Sequence, residues 1–222
     1  MILSALVALT LPTWRAEILE GVRSVASPGI PGPVAVFGPS AEPIVVGSAG
    51  RGVQAAVVAV AERGRSRFVA LGHEGYFGRD ALRTGDTGRL ITNLVRWAVR
   101  GRKDARILTS GLPDLREHLA AAQWRASEAD LSQPLAGEVL VLAVRNLDQR
   151  QAANLRGFLA GGGSLIVGGP AWGFLQLNPN LRITDHPALD AAVRRGRVLA
   201  LYVLDEDSAD VLPLGTAARW WL

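Results

Sequence analysis

The feature that most constrains this chain is an apolar run, a helical pattern and a second apolar run in direct succession. Val139 to Val144 reads VLVLAV, with no polar residue to mark a solvent face. Such a run suits a strand of a parallel sheet that is covered on both faces. From Asp148 to Ala160 the spacing changes. Ala152, Leu155 and Leu159 fall on one helical face, and Gly161 provides the stop. Ser164 to Val167 then returns as a strand. Strand, helix, strand is the βαβ unit, whose right-handed crossover places both strands in one sheet.

The segments upstream extend this pattern. Arg106 to Thr109 reads as a strand, and Leu112, Leu115, Leu119 and Ala122 form the apolar face of a helix with Ser110 as its cap. His118 falls on the surface of that helix. Asp86 or Thr87 caps an earlier helix carrying Leu90, Ile91, Leu94 and Ala98, which stops at Gly101. Before it, the rhythm is that of strands. Val34 to Phe37 and Ile44 to Val46 are short apolar runs broken by Gly38-Pro39 and Gly47. Val53 to Ala61 and Phe68 to Leu71 read as partners joined by a hairpin at Arg63-Gly64-Arg65-Ser66. Residues 30–75 therefore form a small, mostly antiparallel β unit. Beyond Asn180, the pattern predicts a helix from Pro187 to Arg195, a strand from Val198 to Leu204 and an acidic turn before the final ARWWL. Three segments follow: 1–16, a signal peptide or first apolar element; 17–104, the β unit and a linking helix; and 105–222, an α/β layer that forms either a separate domain or one compact domain with 17–104.

Composition narrows the function classes. With 49% hydrophobic and 20% charged residues among 222, the chain has a large core to bury and is not a disordered one. It contains no cysteine, which excludes disulfides, thiolate metal sites and a cysteine nucleophile. No apolar run approaches the roughly 20 residues that a membrane-spanning helix needs. ILSALVALTL at residues 2–11, followed by Pro12, has the length of a signal-peptide core, with Ala16 as the nearest cleavage point. A first buried element explains it equally well, so secreted, periplasmic and cytoplasmic locations stay open. The net charge of +4 is carried by arginine, Lys103 being the one lysine. Arginines cluster at Arg63, Arg65 and Arg67, at Arg100 to Arg106, and at Arg194, Arg195 and Arg197. Such clusters attract nucleic acid or anionic glycans, or simply solvate turns. No aromatic residues interleave with them, as a single-strand groove would require.

Two places carry chemistry. The first is the turn after the strand Ser164–Val167. In open α/β sheets, ligands bind beyond the C-terminal ends of strands. Gly168-Gly169-Pro170 occupies that position without a Ser, Cys or Lys, and Pro170 removes an N–H from any oxyanion hole. What it offers is a binding surface: Gly169, Trp172 as a stacking platform, and Asn178 in the following loop, with Tyr76 as a further ligand contact. A Trp172 that closes the core is the structural alternative. The second place follows the strand Phe68–Leu71. His73, Glu74, Tyr76 and Asp86 supply a base, carboxylates and a phenol, the ingredients of acid–base hydrolysis. Adjacent residues on a strand face opposite ways, which argues against His73 and Glu74 sharing a metal. His73 alternatively hydrogen-bonds its own loop. Ser110 has no obvious His and acid partners, and no metal or cofactor is expected.

GIPGPVAVFG at 29–38, RFVALGHEGYF at 67–77, RLITNLVRWAVRG at 89–101 and GGGSLIVGGPAWGF at 161–174 together resemble one family. It is the N-terminal, class I glutamine-amidotransferase-like region of the TRP-channel-associated factors and of bacterial enhancin-type mucin peptidases. The resemblance runs over residues 17–180. It implies a flavodoxin-like α/β layer: a parallel sheet flanked by helices, with the small antiparallel unit on its N-terminal side. In active amidotransferases the nucleophilic cysteine sits on a strand-to-helix turn; Gly168-Gly169-Pro170 stands there in this chain. The peptidases act through a downstream HExxH zinc domain, and here the one His-Glu, His73-Glu74, runs on into Gly75-Tyr76-Phe77. The resemblance thus implies a scaffold without either catalytic apparatus, used to bind a carbohydrate or a protein partner. A hydrolase relocated to His73, Glu74 and Asp86, and a nucleic-acid binder using the arginine clusters, are the alternatives.

Overall fold

The computed structural model describes residues 13–29, 32–36, 38–48, 54–143 and 147–169. Within them, seven strands form one sheet: β1 (Ala41–Ser48), β2 (Gln54–Arg63), β3 (Ser66–Leu71), β4 (Arg106–Ser110), β5 (Arg125–Glu128), β6 (Val139–Ala143) and β7 (Ser164–Gly168). Their order across the sheet is β1-β2-β3-β7-β6-β4-β5. β2 runs antiparallel to both β1 and β3, and all other neighbours are parallel. β2 is thus the one strand pointing the other way. The antiparallel unit continues directly into the parallel layer, because β3 pairs with β7 from Phe68↔Leu165 to Leu71↔Gly168.

The uninterrupted VLVLA run has the expected cause. Val139 and Val141 enter the core on one face of the sheet, while Leu140 and Leu142 enter a second core on the other. The first face is covered by α3 (Thr87–Ala98), which buries Leu90, Ile91, Leu94 and Trp97. Burying each such side chain contributes about 2 kcal/mol. The short α2 (Arg79–Arg83) adds Leu82, and α4 (Pro113–Ala121) adds Leu115 and Leu119, to the same core. α5 (Gln149–Ala160) covers the opposite face with Phe158. Its start is a capping box: Asp148 accepts from Gln151 N at 2.8 Å, and the Gln151 side chain accepts from Asp148 N at 3.2 Å.

Polar side chains close the joints. Buried Asn93 donates from Nδ2 to Ile18 O and Glu20 O, both at 3.0 Å, satisfying carbonyls at the end of α1 (Thr13–Ile18). Ser164 Oγ accepts from Arg67 N and donates to Ala98 O, each at 3.1 Å, tying β3, β7 and α3 together. Arg67 lies 4.7 Å from the centre of the Trp97 ring, in cation–π contact, and its Nε reaches Glu62 Oε1 at 2.5 Å.

The structure departs from the sequence reading in four places. Residues 32–36 are not a strand; Gly32 N and Val34 N make single bonds to Gly72 O at 2.8 Å and Ala56 O at 2.7 Å. Ser110 is the last residue of β4 rather than a cap; Leu112 precedes α4, and Ser110 Oγ reaches Ala129 O at 3.5 Å. His118 is half-buried against α3, its Nε2 lying 3.1 Å from Thr92 Oγ1 and 3.0 Å from Gly88 O. The fourth departure is β5, RASE, an exposed edge strand with no apolar alternation to announce it. The expected elements at Pro187–Arg195 and Val198–Leu204 lie outside the described residues, as does the apolar stretch 2–11.

Candidate functional site

The C-terminal ends of β3 and β7 lie side by side, because Leu71 pairs with Gly168. This brings both sequence-predicted places together. The chain after β3 runs through Gly72 and His73 into a short 3₁₀ turn, Glu74–Phe77. The chain after β7 passes through Gly169. Backbone bonds lock these segments to each other: Gly169 N donates to Leu71 O at 3.0 Å, and Glu74 N donates to Gly169 O at 3.1 Å. Gly72 N donates to Val57 O at 2.8 Å. The packing leaves no room for side chains. A Cβ on Gly72 would overlap the Gly32 carbonyl oxygen, and one on Gly168 would sit 2.7 Å from Phe77 Cε2 and 3.0 Å from Glu74 Cα.

His73 caps the 3₁₀ turn, its Nδ1 accepting from Gly75 N at 2.8 Å. With Nδ1 accepting, the proton of the neutral ring sits on Nε2. That edge faces Gly29, where an added Cβ would come within 2.7 Å of Nε2. Glu74 is half-exposed, yet its Oε2 is buried with no hydrogen-bond partner among the described residues. Tyr76 is only 1% exposed and belongs to the main core, and burial raises the pKa of its phenol. Asp86 precedes α3, but its side chain does not cap it. Oδ2 instead accepts from Arg23 N at 2.8 Å and Ser24 N at 3.2 Å, and these two bonds lower its pKa. Thr87 continues the same seam, accepting from Ala26 N and donating to Thr84 O, both at 2.7 Å.

No hydrogen bond or ion pair joins His73, Glu74 and Asp86 to one another, and no three His, Asp or Glu side chains converge as metal ligands among the described residues. Gly169 is placed at the elbow as expected, with its N–H and carbonyl both engaged. Pro170, Trp172 and Asn178 lie outside the described residues.

A second place was not read from the sequence. The chain steps outward from β4 to β5, then inward from β6 to β7, so the strand order reverses between β4 and β6. Such a reversal opens a crevice at the strands' C-terminal ends. Glu128, at the end of β5, stands beside it. Its Oε1 accepts from Gly111 N at 2.7 Å, and its Oε2 is ion-paired with Arg116. The arginine clusters separate by function. Arg67 turns inward, whereas Arg65, Arg100 and Arg102 line one cavity at the opposite, N-terminal end of the sheet. Arg194, Arg195 and Arg197 lie outside the described residues.

The fold and the site define an α/β domain: a seven-stranded mixed sheet whose strand-to-turn elbow holds glycine. The chain belongs to the TCAF_N family, described as "TRPM8, N-terminal domain", which matches residues 7–188. It is 31% identical over 176 residues to a TRPM8 channel-associated factor homolog of Danio rerio, and 28% identical over 170 residues to TRPM8 channel-associated factor 2 of Homo sapiens. These alignments cover 77% and 74% of this chain but only 18% and 17% of the relatives. The chain therefore spans less than a fifth of the curated relatives it matches. In fold it is similar to the IMPa metallopeptidase of Pseudomonas aeruginosa, solved with an O-glycopeptide. That match has a TM-score of 0.55 at 17% identity and covers 71% of this chain and 19% of that one. A second family, DNA photolyase, matches residues 177–222, outside the described residues. No described helix is long and apolar enough to cross a membrane.

Proposed function

We propose that this chain is a non-catalytic binding domain, an amidotransferase-like scaffold that engages a protein partner. One observation carries the reading: His73 and Asp86 hold local structural positions, and neither is bonded to Glu74. His73 caps a turn, and Asp86 anchors residues 23–24. General acid–base work needs such groups within hydrogen-bond reach of one another or of a common substrate atom. The relatives' names, which refer to association with the TRPM8 channel, support a protein as the ligand class. The glycopeptide complex of the solved IMPa structure supports a glycan-bearing peptide as the second class, with Gly169, Trp172 and Asn178 as the surface that would meet it.

The hydrolase alternative has one observation in its favour. Glu74 Oε2 is buried without a partner among the described residues, an arrangement that costs free energy unless something else completes it. Hydrolysis of glutamine, a p-nitrophenyl ester and a casein-derived peptide by the wild-type chain and by His73→Ala and Glu74→Gln separates the readings. Rates equal to the buffer blank for all three proteins are expected. Turnover by the wild type that disappears in either variant would overturn the binding-domain reading. Biolayer interferometry with an O-glycopeptide and its unglycosylated counterpart then distinguishes glycan from peptide recognition.

A further inference from the structure

The N-terminal end of the sheet holds a cavity of about 380 Å³, lined by Arg65, Arg100, Arg102, Glu138 and the backbone of Gly161 to Gly163. Two segments deliver the three guanidiniums. Arg65 sits in the β2–β3 hairpin loop. Arg100 and Arg102 follow the end of α3, where Arg100 has φ 57° and Gly101 φ 72°. A non-glycine residue seldom adopts that conformation, and here it turns the chain so that two arginines two positions apart reach one cavity.

Each guanidinium is oriented by a backbone carbonyl. Arg65 Nη2 donates to Gly161 O at 3.4 Å, Arg100 Nη2 to Arg65 O at 3.3 Å, and Arg102 Nε to Val99 O at 3.4 Å. The bonds to Gly161 O and Val99 O fit the need to satisfy carbonyls at helix ends. The three bonds use one N–H of the five that each guanidinium carries. They do not explain why three guanidiniums gather with none of them in an ion pair among the described residues. Six arginine–carboxylate pairs occur among the described residues, and none includes Arg65, Arg100 or Arg102. Among the described residues Glu138 is the one carboxylate in the lining, and its Oε2 already accepts from Arg106 N at 2.6 Å.

We propose that this cavity binds a compact phosphate-bearing ligand, gripped by Arg65, Arg100 and Arg102. Guanidinium forks match phosphate oxygens in geometry and in charge. Three positive groups against one carboxylate leave two charges to neutralise, which suits a phosphate dianion or a diphosphate. The volume lies at the small end of the ligand-pocket range, about 300–1,000 Å³, and fits a head group rather than a polymer. The carbonyl bonds hold the forks in place beforehand, so less side-chain freedom is lost on binding.

The test is calorimetric titration of the whole chain with inorganic pyrophosphate at low and physiological salt. Saturable one-to-one binding is expected. It should weaken about tenfold in Arg65→Ala and in Arg100→Ala and fall steeply with salt, while Arg83→Ala, before the opposite end of α3 and outside the cavity lining, leaves it unchanged. Arg102→Gln, whose one bond is local, keeps the test valid if another variant loses its cooperative thermal melt. Co-sedimentation with vesicles containing a phosphoinositide identifies the source. Sedimentation lost in the same variants means a lipid head group, and pyrophosphate binding without sedimentation means a soluble ligand. Absence of pyrophosphate binding, or binding indifferent to all three arginines, overturns the proposal. So does tighter binding to an RNA or DNA oligonucleotide that grows with its length.

Discussion

The two ends of the sheet use similar residues to different effect. At the C-terminal end, Gly72, Gly168 and Gly169 let three backbone segments close on one another, and His73 is turned to capping a local 3₁₀ turn. At the N-terminal end, Gly161 to Gly163 border an open cavity, and three arginines face it without a carboxylate partner. In most open α/β sheets the C-terminal end is the site. Here the β3–β7 part of that end is closed by packing, and three arginines that form no ion pair among the described residues lie at the other. A glycine-rich turn is therefore not by itself a ligand loop; what matters is whether its backbone groups are already paired.

The contrast can be broken by substitution. The largest effect is expected from Gly72→Ala. Its Cβ would overlap a backbone oxygen that cannot swing away, costing about 3 kcal/mol in urea denaturation. Thr87→Val comes next. It removes the partner of the buried Ala26 N–H at the same end, for about 2 kcal/mol. Gly157→Ala has the opposite sign. A Cβ there meets nothing within 4 Å on the exposed side of α5, so helix propensity should raise stability by about 0.8 kcal/mol.

The smallest effect is a pH dependence. Asp86 has a folded pKa below its ordinary value of 3.8 because two backbone N–H groups donate to it. Its contribution is complete above the unfolded pKa and is lost as pH falls through about 4 and below. Asp86→Asn should therefore flatten the acid limb of the stability curve, read as the denaturation midpoint between pH 5 and pH 3, and leave the shape of the curve near pH 7 unchanged.

Much of the fold was legible because its signals are local. VLVLA reads as a doubly covered strand, Asp148 to Ala160 as a helix stopped at Gly161, and Gly64 as a hairpin residue with φ 58°. β5 was not legible, since an exposed edge strand is held by backbone pairing and shows no hydrophobic period. The site was partly legible. Spacing placed His73 and Gly169 at strand ends, but only the pairing of β3 with β7 puts them together. The arginine cavity was hidden because Arg65 and Arg100 are 35 residues apart and meet through the β3–α3 crossover. The clusters were visible; their separation into inward Arg67 and cavity-facing Arg65 was not.

The most direct measurement is the mapping of backbone amide shifts while pyrophosphate is titrated into the isotopically labelled chain. The account predicts saturable shifts at Arg65, Arg100 to Arg102 and Gly161 to Ser164, with Gly72 to Phe77 and Gly168 to Gly169 unmoved. Shifts centred on His73, Glu74 and Gly169 instead, with the arginine cavity silent, would contradict it.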